Sequence, residues 1–373
     1  MEEQSRQRWS RRVFFGRAAA GAAAGTTLAG VLSSGSAAAT SLHRGGDIAA
    51  QVRQQAEREA FEVHTRAFFE AYDSFDLDRF MSFFHENAYQ QDVALGDLSA
   101  FGGPSDGSCG VHPKGPLRQL FAPLFQVFPT TAGGITKFIH STGSVRYGGA
   151  VDLKILGNTF FSSGFDGMSY VDIRDGKIFR RNDHWDTAQV SPQDIAIIHP
   201  GGQPRLSCEA LPQPGDIVNA SPDFYQFVRS FSAALASGSL DHVFQFLSDD
   251  VLLIHPLLSR VSGAYGPFNR GIQVRGRKAV ARFFRSAGKA LPDGEGSSLI
   301  HVAGGSSGGG FEWRSGGVTA QQGIARNGIH GVTALDIHDG RIQRISVKFD
   351  TLQMTPQQRD SIRRALADED LVV

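Results

Sequence analysis

Cysteine is nearly absent: Cys109 and Cys208 are the only two in 373 residues. That excludes a disulfide-dense scaffold and a zinc module built on several thiolates. No charge of one sign prevails, with lysine plus arginine and aspartate plus glutamate at 37 each. The basic field that a nucleic-acid binder needs is therefore missing. No stretch approaches the roughly 20 apolar residues of a membrane-spanning helix, so the mature chain is expected to lack a span. Several short signatures are missing too. There is no H-E-x-x-H, no C-x-x-C, no lysine-bearing phosphate loop behind the glycine runs, and no G-x-S-x-G elbow. No metal site and no cofactor are expected on these local grounds. Glycine, in contrast, is abundant at 44 residues, which predicts many turns.

What is present begins with Ser10-Arg11-Arg12-Val13-Phe14-Phe15, a twin-arginine stretch ahead of the weakly apolar run Ala18 to Leu32. The small residues Ser36-Ala37-Ala38-Ala39 follow, as at an A-x-A cleavage site. Residues 1–39 are read as a bacterial twin-arginine export signal, which places the mature chain in the periplasm or outside the cell. The leader holds Arg6, Arg8, Arg11, Arg12 and Arg17 against Glu2 and Glu3, so the remainder is mildly acidic. In an oxidising compartment Cys109 and Cys208 can pair; two free thiols are the competing reading.

The chain repeats itself. Leu77-Asp78-Arg79-Phe80 matches Leu240-Asp241-His242-Val243, and Lys114-Gly115-Pro116 matches Arg275-Gly276-Arg277. Ile139-His140 matches Ile300-His301, and Val171-Asp172-Ile173-Arg174-Asp175-Gly176 matches Leu335-Asp336-Ile337-His338-Asp339-Gly340. Four matches in one order, about 161–164 residues apart, mark two copies of a domain rather than a solenoid array. The boundaries read as domain one over 50–193, a Pro/Gly-rich linker over 194–220, and domain two over 221–367.

Each copy follows one plan. A long amphipathic helix carries Phe61, Phe68 and Tyr72 on one face in copy one. In copy two, Ser221-Pro222-Asp223 predicts a helix start, followed by Phe224, Phe227, Val228 and Phe231 at helical spacing. A short second helix and a third helix lead into strands, with hairpin turns at Asp175-Gly176 and Asp339-Gly340. The glycines 304–305 and 308–310 read as a flexible hairpin tip, and the long stretches 93–112 and 257–275 as loops. The class is α+β, with helices on one side of an antiparallel sheet.

This order of elements, the glycine at the third helix entry and the Asp-Gly hairpin ending in His184-Trp185-Asp186 resemble the nuclear-transport-factor-2-like superfamily. Within it the SnoaL-like branch is most similar, and the resemblance spans both copies. It implies two tandem cone-shaped domains, each a curved antiparallel sheet wrapped on about three helices around an apolar pocket. Members include polyketide cyclases, ketosteroid isomerases, scytalone dehydratases, epoxide hydrolases and diarylpropane formaldehyde lyases, besides proteins that only bind or assemble. The fold alone does not choose among these.

Candidate site residues follow from strand alternation. Asn182, His184 and Asp186 share one face of the last strand of copy one, while Asp183 and Trp185 take the other. If the first face meets the helices, an imidazole and a carboxylate stand about 7 Å apart in the pocket, suited to general acid–base work. Copy two keeps the aspartate as Asp350 but has Lys348 for the histidine. Asp186 is thus divided between catalysis and a bond to turn amides. His140 recurs as His301 and is either catalytic or a cross-sheet bond. Tyr72 is an oxyanion donor or a core aromatic. His112, Tyr170, Asp92, Trp185 and His255 are candidates for substrate contact.

The reading that results is an exported, cofactor-independent lyase or isomerase. Its substrate is a hydrophobic aromatic or polyketide-like small molecule, with the formaldehyde-releasing lyases as the specific analogy. The alternative is a non-catalytic periplasmic binding or assembly module; a water-activating hydrolase is a third class. Assembly into a homo-oligomer is compatible with either.

Overall fold

Asp175-Gly176 and Asp339-Gly340 show how local chemistry sets this architecture. All four residues adopt positive φ, 50° and 69° in the first pair and 49° and 69° in the second. Two successive left-handed residues make the two-residue turn whose twist matches paired strands. Each turn closes the last hairpin of its sheet.

The computed structural model describes residues 48–92, 110–127, 136–156, 164–190, 218–261, 273–290, 295–316, 329–351, 354 and 356–367. The stretch read as an export signal, both cysteines and most of the stretch read as a linker lie outside the described residues. In copy one, helices α1 (Ile48–Asp73), α2 (Leu77–Met81) and α3 (Lys114–Val127) accompany strands β1 (Phe84–Asp92), β2 (Thr136–Ser144), β3 (Gly148–Ile155), β4 (Phe165–Arg174) and β5 (Lys177–Trp185). Copy two begins with the short strand β6 (Val218–Ala220), inside the stretch read as a linker, and continues with α4 (Pro222–Ala236) and α5 (Leu240–Phe244). Then come β7 (Leu247–Ile254), α6 (Pro256–Val261), β8 (Val274–Arg275), α7 (Arg277–Ala290), β9 (Glu295–Gly305), β10 (Gly308–Gly316), β11 (Ile329–His338), β12 (Arg341–Phe349) and α8 (Pro356–Ala367). No described helix is long and apolar enough to cross a membrane.

Helix starts are legible. The Ser221 side chain accepts from the Phe224 amide with Pro222 next to it, and Asp76 accepts from the Arg79 amide at 2.9 Å. α6 occupies the start of the stretch read as a loop over 257–275. Its Pro256 suits a first helical position, and Leu257 donates its amide to His255 Nδ1.

The sheets are mixed rather than purely antiparallel. Strand order is β1-β5-β4-β3-β2 in one and β6-β9-β10-β11-β12-β7-β8 in the other. The β2–β5 and β9–β12 meanders are antiparallel, but β1 joins β5, and β7 joins β12, in parallel. The reason is connectivity. The chain leaves β1 through α3 to the far edge of the sheet, so no hairpin fixes the direction of β1 against β5.

Each sheet buries one face under its own helices. In copy one Phe61, Phe68, Phe80, Phe84, Leu117 and Phe121 pack with Val151, Val171 and Ile178. In copy two Phe224, Phe227, Phe231 and Phe283 pack with Leu253, Val302, Ile345 and Val347. The opposite faces meet each other across a seam of Ala150, Met168, Tyr170, Ala303, Val332 and Ala334. The glycine runs do flank the tip of the β9–β10 hairpin, and they also serve this approach. A Cβ on Gly310 would lie 2.8 Å from that of Ala150, and one on Gly308, at φ 130°, would lie 2.5 Å from the Thr142 hydroxyl oxygen of copy one.

Polar bonds across the seam come in reciprocal pairs. Thr351 Oγ donates to Asp186 Oδ1 at 2.9 Å, and Thr187 Oγ donates to Asp350 Oδ1 at 2.8 Å. Asp186 also accepts from the amides of Ala188 and Thr351. This is why both copies carry Asp-Thr: each aspartate caps its own turn or holds its twin's threonine. Asp186→Ala strands buried donors and is expected to cost about 1–3 kcal/mol. Urea unfolding of the variant checks it, and Asp350→Ala is expected to fall in the same range.

Candidate functional site

The residues turned toward the helices of copy one come from β5, β4, β1 and α1. On β5 these are Arg181, Asp183 and Trp185. The Arg181 guanidinium lies 5.3, 5.6 and 5.9 Å from the ring centres of Phe68, Phe69 and Tyr72 on α1. Arg181 also holds Asp183, with Nη2 2.8 Å from Oδ2 and Nε 3.1 Å from Oδ1. Asp183 accepts in addition from Gln90 Nε2 at 3.0 Å and from the Ser169 hydroxyl. Trp185 donates its indole N–H to Asp92 at 3.0 Å and stacks on Phe165 with ring centres 4.3 Å apart. Burial raises the Tyr72 phenol above its ordinary range; Arg181 opposes this, while Asp183, Asp73 and Asp92 add to it. The phenol therefore stays protonated and available as a donor at neutral pH.

Register gives the equivalent positions in copy two. Phe84 stands against Ile178, and Leu247 against Ile342, so Asp92 corresponds to His255. Tyr72, Arg181, Asp183 and Trp185 correspond to Leu235, Ile345, Val347 and Phe349. These line an apolar cavity of about 550 Å³ together with Phe283, Leu299 and Trp313. The Trp313 indole is bonded to Thr333 at 3.0 Å. His255 is the imidazole of this wall, with Phe283 and Phe349 rings at 4.8 and 5.6 Å. Its Nδ1 accepts from the Leu257 amide, which puts the proton of the neutral ring on Nε2. Burial, with Lys348 adding to it, lowers its pKa to about 3.

His184 and Asp186 share a face, but that face is the seam and not the helix side. The expected His/Asp pocket is corrected on this point. Alternation shows which side chains lie together and not which layer they meet. His184 Nε2 lies 2.6 Å from Oε1 of Glu312 on β10, and Asn182 donates to Glu312 Oε2 at 2.8 Å. His301 Nδ1 lies 2.6 Å from Oε2, and His330 Nε2 lies 3.4 Å from Oε1. Glu312 is fully buried, and the three histidines are nearly so. Burial alone would raise the Glu312 carboxyl, but the bonds from His184, His301 and His330 outweigh it and hold it well below the carboxylate range. Burial lowers His330 to about 4, against the pull of Glu312. His184, Glu312 and His330 each offer one ligand atom, all within 4.8 Å of one another.

The remaining candidates divide the same way. His140 faces the seam, with Nε2 2.6 Å from Asp336 of copy two. Tyr170 is buried there and donates to Asp172 at 2.7 Å, beside the buried Arg180–Asp172 pair. Tyr72, Asp92 and Trp185 meet inside copy one, and His255 inside copy two. His112 is exposed, its ring centre 6.0 Å from that of Tyr89. The sequence reading did not single out Arg181, Asp183 or Glu312. A usable signal existed for the first two: one copy is charged where the other is apolar.

The His255 shift has a pH consequence. The folded state keeps the ring neutral down to about 3, while the unfolded chain takes a proton near 6.5. The associated stability is fully present above 6.5 and is lost as pH falls from there toward about 3. His255→Gln is expected to flatten the acid limb of stability between these values, read by urea unfolding at stepped pH. His330 keeps a residual slope of the same sign.

No curated protein matches this sequence. Among solved structures, a SnoaL-like protein of unknown function from Burkholderia thailandensis is similar over 34% of this chain and 93% of its own, at 18% identity and TM-score 0.27. A steroid delta-isomerase from Pseudomonas aeruginosa is similar over 41% and 97%, at 12% identity and TM-score 0.30. Residues 228–345, running from α4 into β12, match the SnoaL-like domain family.

Proposed function

We propose that the protein is an exported acid–base enzyme of lyase or isomerase type, acting on a hydrophobic aromatic or polyketide-like small molecule inside copy one. The observation that carries this reading is the asymmetry of the two interiors. Tyr72, Arg181 and Asp183 stand in one where Leu235, Ile345 and Val347 stand in the other. A buried arginine–carboxylate pair costs desolvation and is a poor way to gain stability. Copy two shows that the fold does without it.

The chemistry follows from the groups. Asp183 is the carboxylate placed to take a proton from the substrate, with Arg181, Gln90 and Ser169 fixing its orientation. Tyr72 donates its phenolic hydrogen to the oxygen on which charge develops, and the Arg181 charge stabilises the same anion. Trp185 and Phe165 supply a flat apolar wall, held in place by the Asp92 bond. Elimination, retro-aldol deformylation and cyclisation all begin with this proton removal. The twin-arginine leader supports a substrate met outside the cytoplasm.

A second reading, a binding module, is favoured by the cavity of copy two, whose size and apolar wall suit a small hydrophobic ligand. The assay that separates the two uses the purified chain with diarylpropane-type dimers, steroid enones and polyketide mimics, read by mass spectrometry. Turnover is expected in the wild type. Asp183→Asn is expected to lose about 10²–10⁴-fold in kcat, and Tyr72→Phe about 10²–10³-fold. Ligand-dependent melting shifts without turnover, abolished by Val347→Trp in the cavity, would replace the enzyme by the binding module.

A further inference from the structure

We propose that His184, His330 and Glu312 bind a divalent transition-metal ion, zinc foremost, between the two sheets. The site joins β5 of copy one to β10 and β11 of copy two, apart from the interior of either copy.

The Glu312 carboxylate is divided in a way that suits a ligand. Oε2 is occupied by His301 Nδ1 at 2.6 Å and by the Asn182 amide at 2.8 Å. Oε1 faces the two ring nitrogens, His184 Nε2 at 2.6 Å and His330 Nε2 at 3.4 Å. His301 and Asn182 are thus the outer partners that fix a ligating carboxylate, and the Oε1 side is where two imidazoles converge. Ligand atoms around a tetrahedral ion with bonds of about 2.0–2.2 Å stand roughly 3.3 Å apart. The His330 to Glu312 spacing is already of that size. The His184 contact needs to open by less than about 1 Å. Two imidazole nitrogens and one carboxylate oxygen are a donor set for zinc and its neighbours and not for calcium or magnesium. A fourth position is left for water.

The equivalent acid in copy one shows what neutralising a buried carboxylate here requires. Asp152 stands opposite His140 on the neighbouring strand, as Glu312 stands opposite His301. Asp152 is met by the Arg344 guanidinium at 2.8 Å and the Ser346 hydroxyl at 2.9 Å. One arginine suffices for charge. Around Glu312 the chain gathers three imidazoles in its place, at 0–9% side-chain exposure. Imidazoles are a poor substitute for a fixed cation but good ligands.

The test uses the whole chain without a histidine tag. Metal content is measured by plasma mass spectrometry after desalting, and the chelated protein is then titrated with Co²⁺. The expected result is one equivalent per chain and a visible d–d band that saturates at one Co²⁺. Reloading is expected to raise the melting temperature above that of the chelated protein. Glu312→Gln and His330→Gln should each abolish the band. His330→Gln, which leaves the His184, His301 and Asn182 bonds to Glu312 in place, keeps the test open if the Glu312 variant does not fold. A folded wild type that takes up no Co²⁺ overturns the proposal. So does a band unchanged in a folded His330→Gln or His184→Gln, which would put the metal elsewhere.

Discussion

Two acidic side chains buried between sheets govern the rest of this molecule. Asp152 and Glu312 occupy the same place in the two copies, and each is satisfied by groups from the other copy. Arg344 and Ser346 reach Asp152; Asn182 and His184 reach Glu312. Removing one side of such an arrangement leaves an uncompensated buried charge, a loss of about 3–5 kcal/mol. The copies are therefore halves of one structure, and their contact is as specific as the inside of either half. The reciprocal Asp-Thr bonds at the ends of β5 and β12 apply the same rule to the turn that follows each sheet.

The seam also explains where chemistry can reside. Strand alternation gives each last strand one face for its twin and one for its helices. On β5 the seam face is Arg180, Asn182 and His184, and the helix face is Arg181, Asp183 and Trp185. On the seam face Arg180 is held by Asp172 of its own copy, and Asn182 and His184 are held by Glu312 of copy two. The helix face changes from charged in the first copy to apolar in the second. A comparison internal to one chain thus separates what the fold requires from what one copy adds.

Much of the frame was legible in the sequence. The Asp-Gly turns, the Ser221 cap and the α+β order rest on local chemistry that tertiary context did not override. The parallel entry of β1 beside β5 was not legible, because a crossover leaves no local signal for strand direction. Nor was the layer that His184 meets, since periodicity specifies phase but not side. Glu312 was hidden for a different reason: its partners come from β5, β9 and β11, so no short spacing records them. One signal was there to find. An acid follows each of the paired histidines, His140 and His301, at Asp152 and Glu312 on the next strand. The glycines around Gly308 signal the hairpin tip but not the close backbone approach, because both call on the same residue.

The seam is not the same on its two sides, an arginine with Asp152 and imidazoles with Glu312. Two separate identical chains could not arrange this, because any substitution would appear on both sides at once. Covalent fusion lifts that constraint. With both halves on one polypeptide, each side of a duplicated contact can mutate independently, so a symmetric scaffold can acquire a function on one side while the other continues to hold it together.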